Sequence, residues 1–253
     1  YAIQVVMSFL FLTMLFVILP RANVSAGRIN EVLDTRPKIN WKPQTVGKPS
    51  LRPQVEFSHV DFSYTGAEEK VLQDISFVAE AGKTTAFIGS TGSGKSTLIN
   101  LVPRFYEVTS GEIKVNDINL KDYAADDLMR RIGYVPQRGV LFSGTVKSNI
   151  LFGAPSADDK QLKLAAKVSQ SEEFIEKLDK KYDSHISQGG TNVSGGQRQR
   201  LSIARAIAKD PDIYIFDDSF SALDMKTDAK LRQALKPVTQ NAVTLIVAQR
   251  IST

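Results

Sequence analysis

The first twenty positions of the chain are apolar almost throughout and carry no charged residue. A run of this length predicts a helix that can cross a hydrocarbon layer of about 30 Å. Arg21 and Arg28 follow the run, and basic residues beside a membrane helix favour the cytoplasmic side. A signal peptide would need a basic region ahead of the run, which is absent, and a buried helix of a soluble protein is the other alternative. We expect a membrane-exit helix, with the sequence beginning inside a longer, multi-pass membrane protein.

The apolar run is followed by a short helical pattern and then by a proline-rich stretch. Ile29, Val32 and Leu33 have helical spacing, so the helix is expected to continue. Residues 35–54 hold four of the ten prolines of the chain, which is the composition of a linker. The pattern predicts a last transmembrane helix with its cytoplasmic extension in residues 1–35, a linker in residues 36–54 and one large domain in residues 55–253.

Two segments of the large domain have the pattern of half-buried β-structure. Residues 55–64 alternate apolar and polar positions, and residues 111–120 predict a hairpin that turns at Asn116 and Asp117. These segments predict an antiparallel β subdomain.

Three other segments are continuous apolar, β-branched runs, at residues 84–89, 212–218 and 242–249. Such runs are typical of fully buried strands in a parallel sheet with helices on both faces. Between the first and second runs, residues 144–208 show mainly helical patterns and predict an inserted helical subdomain. The predicted fold class is α/β, with a mixed or parallel core sheet flanked by helices, the antiparallel β subdomain and the helical insertion, all preceded by the transmembrane helix.

Composition and charge narrow the chemistry. The 253 residues are 42% hydrophobic and 23% charged, which is ordinary for a folded protein with one full-sized core. The net charge of +5 is scattered, with no basic run interleaved with aromatic residues, so nucleic acid is not expected as a partner. The chain has no cysteine, which excludes disulfides, thiolate zinc sites and cysteine nucleophiles within it.

A glycine-rich loop follows the first apolar run and precedes a helical pattern, as a phosphate-binding loop of the form G-x-x-x-x-G-K-[ST] does. Glycines permit backbone angles that turn successive N–H groups toward one anion at a helix N-terminus. Lys95 would add a positive charge near the β- and γ-phosphates, and the Ser96 hydroxyl would ligate Mg²⁺. The alternative is a flexible Gly/Ser turn. We call this segment the phosphate loop, and it comprises Gly89, Ser90, Thr91, Gly92, Ser93, Gly94, Lys95, Ser96 and Thr97.

Two aspartates, Asp217 and Asp218, stand at the end of the second apolar run. Ligands of open α/β sheets bind at the C-terminal ends of the strands, so Asp217 is placed to hold Mg²⁺ through water. An acidic strand end is a weak signal alone. With the phosphate loop it predicts phosphoryl transfer from a nucleotide, which needs both a cradle and a metal anchor.

With these motifs the chain resembles the ATP-binding-cassette (ABC) transporter family, in the exporter branch whose membrane domain precedes the cassette. The resemblance includes the P-loop NTPase fold of the cassette. It rests on three motif matches: the family's signature at residues 193–198 (VSGGQR, with Val193 where Leu is usual), its glutamine loop at residues 134–137 (YVPQ) and its D-loop at residues 221–224 (SALD). Two further stretches resemble exporters, residues 142–150 (FSGTVKSNI) and the membrane-exit stretch at residues 28–34 (RINEVLD).

The resemblance implies roles for individual residues. Tyr64 would stack on adenine, the alternative being an ordinary core or surface tyrosine. Gln137 would approach Mg²⁺ or the attacking water with its amide oxygen. The signature would form a second anion site for nucleotide bound by a partner cassette, which implies a dimer. The signature residues are Ser194, Gly195, Gly196 and Gln197, and the D-loop residues are Ser221, Ala222, Leu223 and Asp224.

Two positions depart from the family's pattern. Asp218 stands where the family has a glutamate that orients and deprotonates the attacking water, and Gln249 stands where it has a histidine. Misplacing a catalytic group by about 1 Å can cost on the order of 10²-fold, and losing general-base assistance costs about 10²–10⁴-fold. Glutamine cannot become cationic. We therefore expect slow hydrolysis at this chain's own site, unless both are tolerated single changes.

The expected function is that of an ATP-binding subunit of an ABC exporter in the cell membrane, with its cassette in the cytoplasm. ATP and Mg²⁺ are the expected cofactors, and the cargo is expected to be drug-like or lipid-like. The two departures resemble the degenerate half of a heterodimeric exporter, in which this chain's signature completes the partner's competent site. The alternatives are a homodimeric exporter, a regulatory module that clamps ATP without turnover, and a soluble cassette ATPase of the chromosome-maintenance or repair type.

Overall fold

The computed structural model describes residues 1–248. The chain divides into two units, and the boundary along the sequence lies between Asn40 and Trp41. The first unit contains helix α1 (Ala2–Leu33), which runs for 32 residues with Pro20 inside it. None of its residues is buried within the chain, and its length and composition are sufficient to cross a membrane. A proline is tolerated in such a helix because neighbouring groups can satisfy the backbone carbonyl that it frees.

The second unit contains ten strands, seven α-helices and four short 3₁₀ helices within the described residues. The strands are β1 (Gln54–Phe62), β2 (Leu72–Glu80), β3 (Thr84–Ile88), β4 (Ser110–Val115), β5 (Ile118–Asn119), β6 (Ile132–Val135), β7 (Gly144–Thr145), β8 (His185–Ile186), β9 (Ile213–Asp217) and β10 (Val243–Ala248). The helices are α2 (Lys95–Leu101), α3 (Ala125–Arg131), α4 (Val146–Ile150), α5 (Asp159–Val168), α6 (Glu172–Ile175), α7 (Gly195–Ala208) and α8 (Met225–Thr239).

The predicted antiparallel β subdomain is a four-stranded sheet in the order β2-β1-β4-β5. Strand β1 buries Val55 and Phe57 and then Val60 and Phe62, so its alternation shifts by one position in the middle. The shift coincides with a register irregularity at His59, which has a positive φ of 49°. This bulge keeps both apolar pairs on the core face.

The predicted hairpin is confirmed, with β4 and β5 joined through Asn116 and Asp117. Val115 pairs with Ile118, and the two turn residues have positive φ angles of 50° and 68°. Positive φ at both central positions is the geometry that a two-residue hairpin requires, and Asn and Asp tolerate it better than most residues.

The core sheet is parallel, in the order β3-β10-β9-β6. Strands β9 and β10 are almost wholly buried, as predicted. The expectation of full burial is wrong for β3, because this strand pairs within residues 1–248 with β10 alone and Ile88 remains 50% exposed. Strand β6, which the sequence patterns did not single out, closes the other edge.

Two hydrophobic clusters cover the core sheet. The first cluster packs α8 and the inserted helical subdomain, which contains α4 to α7 and the short β7-β8 pair, against one face of the core sheet. The second cluster packs α2 and the antiparallel sheet against the other face. Tyr214 and Phe216 of β9 belong to the first cluster, and Ile213 and Ile215 belong to the second. Strand β9 therefore lies between the two clusters, and its last residue, Asp217, accepts a hydrogen bond from Ser96 of the phosphate loop.

Within the second unit, the proline-rich segment that starts at Trp41 is bound to the cassette. The Trp41 ring lies 4.6 Å from the Arg104 guanidinium, and Thr45 donates a hydrogen bond to Asp127 at 2.6 Å. This part of the predicted linker therefore has defined contacts with the domain that follows it.

Candidate nucleotide-binding site

The phosphate loop connects β3 to α2 and turns at two glycines. Gly92 and Gly94 have φ angles of +85° and +84°, which side-chain-bearing residues rarely adopt. A Cβ at Gly94 would also lie only 3.1 Å from Leu72 and 3.2 Å from Val71. A side chain at position 94 would therefore be strained by the backbone angles and would press against the residues around β2.

The side chain of Lys95 folds back over the loop. Its Nζ donates hydrogen bonds to the carbonyl oxygens of Gly89 at 3.0 Å and Ser90 at 2.5 Å and to Ser93 Oγ at 3.2 Å. These acceptors hold a full positive charge at the mouth of the loop, where it can attract a phosphate. Residues 89, 90 and 93 therefore position Lys95. The remaining residues of the loop, 91, 92 and 94–97, line the open cavity that is described below.

Asp217 ends β9 and faces the start of α2. Its carboxylate accepts a hydrogen bond from Ser96 Oγ at 2.8 Å, and Tyr134 Oη lies 3.4 Å away. Asp217 is only 8% exposed, and this burial raises the pKa of its carboxyl above the ordinary value. A buried carboxylate beside a hydroxyl is a donor set that suits Mg²⁺, because hard oxygen ligands are what this cation prefers. The predicted metal ligands Ser96 and Asp217 are brought together, and Gln137 lines the same cavity.

Asp218 directly follows Asp217 and has a positive φ of 46°. Gln137 Nε2 donates a hydrogen bond to Asp218 Oδ2 at 3.2 Å, and the Asp218 amide donates to the carbonyl of Val247 at 3.1 Å. Two of the three predicted catalytic side chains, Gln137 and Asp218, are thus in direct contact. The Asp218 carboxyl is one methylene closer to the backbone than that of a glutamate.

Tyr64 follows β1 and belongs to an aromatic group. Its ring meets Phe62 edge to face at 4.9 Å and Tyr106 at 5.3 Å. Its hydroxyl forms a hydrogen bond with Thr97 Oγ1 at 2.9 Å. The predicted adenine platform is therefore linked to the last residue of the phosphate loop.

These residues surround one open cavity of about 360 Å³, a size suited to a small ligand. It is lined by Tyr64, Val71, Thr91, Gly92, Gly94, Lys95, Ser96, Thr97, Gln137, Asp217, Asp218 and Val247. The sequence motifs predict no role for Val71 or Val247, which the fold brings to the cavity from segments distant in sequence. Two tyrosines beside the site also have no predicted role: Tyr106 contacts the Tyr64 ring, and Tyr134 contacts the Asp217 carboxylate.

Within residues 1–248, the signature residues are not brought to this cavity and lie at the N-terminus of α7. Ser194 caps the helix, since its Oγ accepts from the Gln197 amide at 3.2 Å while Gln197 Oε1 accepts from the Ser194 amide at 2.9 Å. Ser194 and Gly195 are exposed, and a Cβ at Gly195 would meet nothing within 4 Å. A cap with an open approach is available to an anion from outside this chain.

The D-loop connects the cavity to the signature. Ser221 Oγ donates to the Asp218 carbonyl at 2.8 Å, and the Ala222 carbonyl oxygen would lie 3.6 Å from a Cβ at Gly196. Leu223 packs against the first hydrophobic cluster, and Asp224 caps α8 through the Thr227 amide at 3.0 Å. The predicted Gln249 position lies outside the described residues.

The chain is similar to known proteins in sequence and in fold. A sequence model described as ABC transporter matches residues 72–221. The whole chain aligns with an uncharacterized ABC transporter ATP-binding protein of Mycobacterium tuberculosis at 44% identity and with another of Bacillus subtilis at 42%, and it spans 44% of the length of each. A Staphylococcus aureus protein named for multidrug export as an ATP-binding/permease protein is 46% identical over 79% of this chain and 35% of its own length.

A solved structure of a bacterial Atm1-family ABC exporter with ATP bound superposes with a TM-score of 0.86 at 30% identity. The alignment covers 94% of this chain and 42% of the exporter chain. The chain therefore spans less than half the length of the proteins that it resembles.

Proposed function

This chain belongs to the ABC transporter family, and from that premise we propose that it is the ATP-binding part of an exporter subunit whose own hydrolytic site is impaired. ATP binding would close two cassettes onto each other, and hydrolysis would reopen them while the membrane domains alternate access. The exporter structure supports export as the activity, and the relative named for multidrug export supports a drug-like cargo.

The observation that carries the proposal is a cavity lined by Lys95, Ser96 and Asp217, with the shorter acid Asp218 beside them. Lys95, Ser96 and Asp217 are in place for binding, with the Ser96 to Asp217 hydrogen bond at 2.8 Å. Asp218 stands at the general-base position, where its carboxyl is set back and held by Gln137. Bound Mg²⁺ would neutralise charge on the β- and γ-phosphates. Binding at this site is therefore expected to be strong and turnover slow.

An impaired site is useful when a second cassette supplies a competent one. The exposed cap at Ser194, with open space at Gly195, suits the γ-phosphate of nucleotide bound by a partner. We infer a heterodimer in which this chain's signature completes the fast site and the partner's signature completes the slow one.

The membrane assignment rests on α1. Its length and apolar composition, together with the membrane exporters among the relatives, support a last transmembrane helix in residues 1–35 of a multi-pass protein. A linker in residues 36–54 would join it to a cytoplasmic cassette in residues 55–253.

Purification of the full-length protein from its native membrane tests the heterodimer. We expect a second, different cassette subunit to accompany it in equal amount, because a homodimer would have two impaired sites and could not sustain brisk turnover. Quantitative mass spectrometry of the purified complex and its ATPase rate measure this. A complex of this subunit alone that hydrolyses ATP at a brisk steady rate would overturn the asymmetric assignment.

Replacement of Tyr64 tests the adenine platform. We expect Tyr64→Ala to weaken ATP binding about tenfold, since stacking of a base on an aromatic ring contributes about 1–3 kcal/mol. Tyr64→Phe keeps the ring and loses only the hydrogen bond to Thr97, so affinity should stay within about twofold. Titration of a fluorescent ATP analogue measures both. An unchanged affinity in Tyr64→Ala would place adenine elsewhere.

A further inference from the structure

Gln199 is a buried glutamine in the middle of α7, only 1% exposed. Its Oε1 accepts a hydrogen bond from the Gly139 amide at 2.8 Å, and its Nε2 donates to the Pro136 carbonyl at 3.0 Å. Both ends of the side-chain amide are thus satisfied by the two ends of one short loop, residues 136–139. Since Gln137 lies between these two anchors, the contact fixes the segment that carries it.

The same loop lies directly against α7. A Cβ at Gly139 would lie 2.7 Å from Ser202 Oγ and 2.8 Å from the Arg198 carbonyl oxygen, so only glycine permits this approach. One residue further on, Arg205 donates to the Val140 carbonyl at 2.9 Å. The chain after β6 is therefore attached to α7 at consecutive points.

The attachment changes abruptly at the end of β6. Val135 still belongs to the core sheet, where it pairs with β9 and its carbonyl accepts a hydrogen bond from Ser219 Oγ at 2.8 Å. From Pro136 onward the backbone is held by α7 instead. Gln137 is therefore mounted on α7 while its side chain reaches Asp218 at the end of β9.

We propose that Gln199 is a positioning residue that fixes Gln137 to α7, so that the glutamine of this chain's own nucleotide site and the signature cap at Ser194 move as one body. The clamp itself rests on the two hydrogen bonds. Its consequence for turnover rests on the proposed function, in which Gln137 and Ser194 serve different nucleotide sites. Nucleotide contact at one site would then change the placement of the signature at the other.

Pulsed electron paramagnetic resonance measures the clamp directly. This chain has no cysteine, so Arg138→Cys and Lys163→Cys can carry two spin labels, one in the exposed part of the loop and one on α5. The measurement uses the full-length complex, with cysteines outside this chain replaced. We expect the distance distribution to be narrow and unchanged by ATP, and to become at least twofold wider in Gln199→Met with or without nucleotide.

Ser202→Ala is the matched control. Ser202 is buried on the same helix beside Gly139, and its hydroxyl has no hydrogen-bond partner among the described residues. Its removal should leave the distribution narrow. If Gln199→Met fails to fold, Gln199→Asn replaces it, because its amide is one methylene too short to reach both backbone groups and should give the same broadening.

Turnover supplies a second readout that a purely structural role would not produce. In Gln199→Met the signature that completes the partner's fast site is no longer coupled to Gln137, so we expect the ATPase rate to fall about tenfold, with the KM for ATP changed less than twofold. An equally narrow distribution in Gln199→Met, or a wild-type distance that shifts with ATP, overturns the clamp. If only the proposed function is wrong, the widths of the distance distributions measured without nucleotide should still be as expected. The error would then be seen in the subunit composition of the purified complex.

Discussion

Ser194→Ala should lower the ATP turnover of the assembled transporter by about 10²-fold or more, the usual cost of removing one preorganised donor from a reacting anion. Asp218→Asn should change the same rate by less than about twofold, because the fast site belongs to the partner. The contrast follows from the exposed Ser194 cap and from the set-back Asp218 carboxyl that Gln137 holds. Steady-state ATPase assays on the two variants, reconstituted with the wild-type partner, measure it.

Helix capping must be separated from phosphate contact in this comparison, since removing a serine cap costs about 0.5–2 kcal/mol by itself. Asp158→Ala supplies the matched control, because Asp158 caps α5 through the same reciprocal pattern with Gln161 and lies outside the cavity. It should lower the melting temperature as Ser194→Ala does and leave turnover unchanged. Turnover that falls more in Asp218→Asn than in Ser194→Ala would reverse the assignment of the two sites.

Features governed by local rules were predictable from the sequence. The phosphate loop needs glycines where φ is positive, and Gly92 and Gly94 have that geometry. The hairpin turn needs two residues that tolerate positive φ, and Asn116 and Asp117 supply them. Each feature depends on residues adjacent in sequence, so the pattern alone was sufficient to locate it.

Features governed by distant contacts were not predictable in the same way. The burial of β3 depends on which strands pair with it, and an apolar run does not reveal that β3 lies at an edge of the sheet formed by the described residues. Gln199 lies in a polar stretch of the sequence that suggests a solvated helix face, yet it is buried against a loop about sixty residues earlier in the chain. Its role appears only when α7 and the end of β6 are brought together.

Asp217→Asn should weaken Mg²⁺-dependent ATP binding by about 10²-fold, the upper part of the range for losing a residue that orients a metal's ligands. The amide can still accept from Ser96, so the loop should keep its shape. Isothermal titration of ATP with and without Mg²⁺ measures the effect, and the loss should be confined to the Mg²⁺-containing series. Equal losses in both series would show that Asp217 supports the loop and does not anchor a metal.

The same substitution should raise the melting temperature of the nucleotide-free protein at neutral pH. Burial raises the pKa of the Asp217 carboxyl, so its ionised form destabilises the folded state once the pH exceeds the pKa of an unfolded aspartate. The higher melting temperature of Asp217→Asn should therefore be present at pH 7 and vanish as the pH falls below the pKa of an unfolded aspartate.

Asp61→Asn provides a control of opposite sign, because the hydrogen bond from Lys70 lowers the pKa of Asp61 to about 2. Its ionised form stabilises the fold at pH 7, and the Asp61→Asn deficit should disappear only toward pH 2. A melting temperature in Asp217→Asn that falls at pH 7 would mean that the carboxylate is already compensated within the chain, and that no metal is needed to stabilise it.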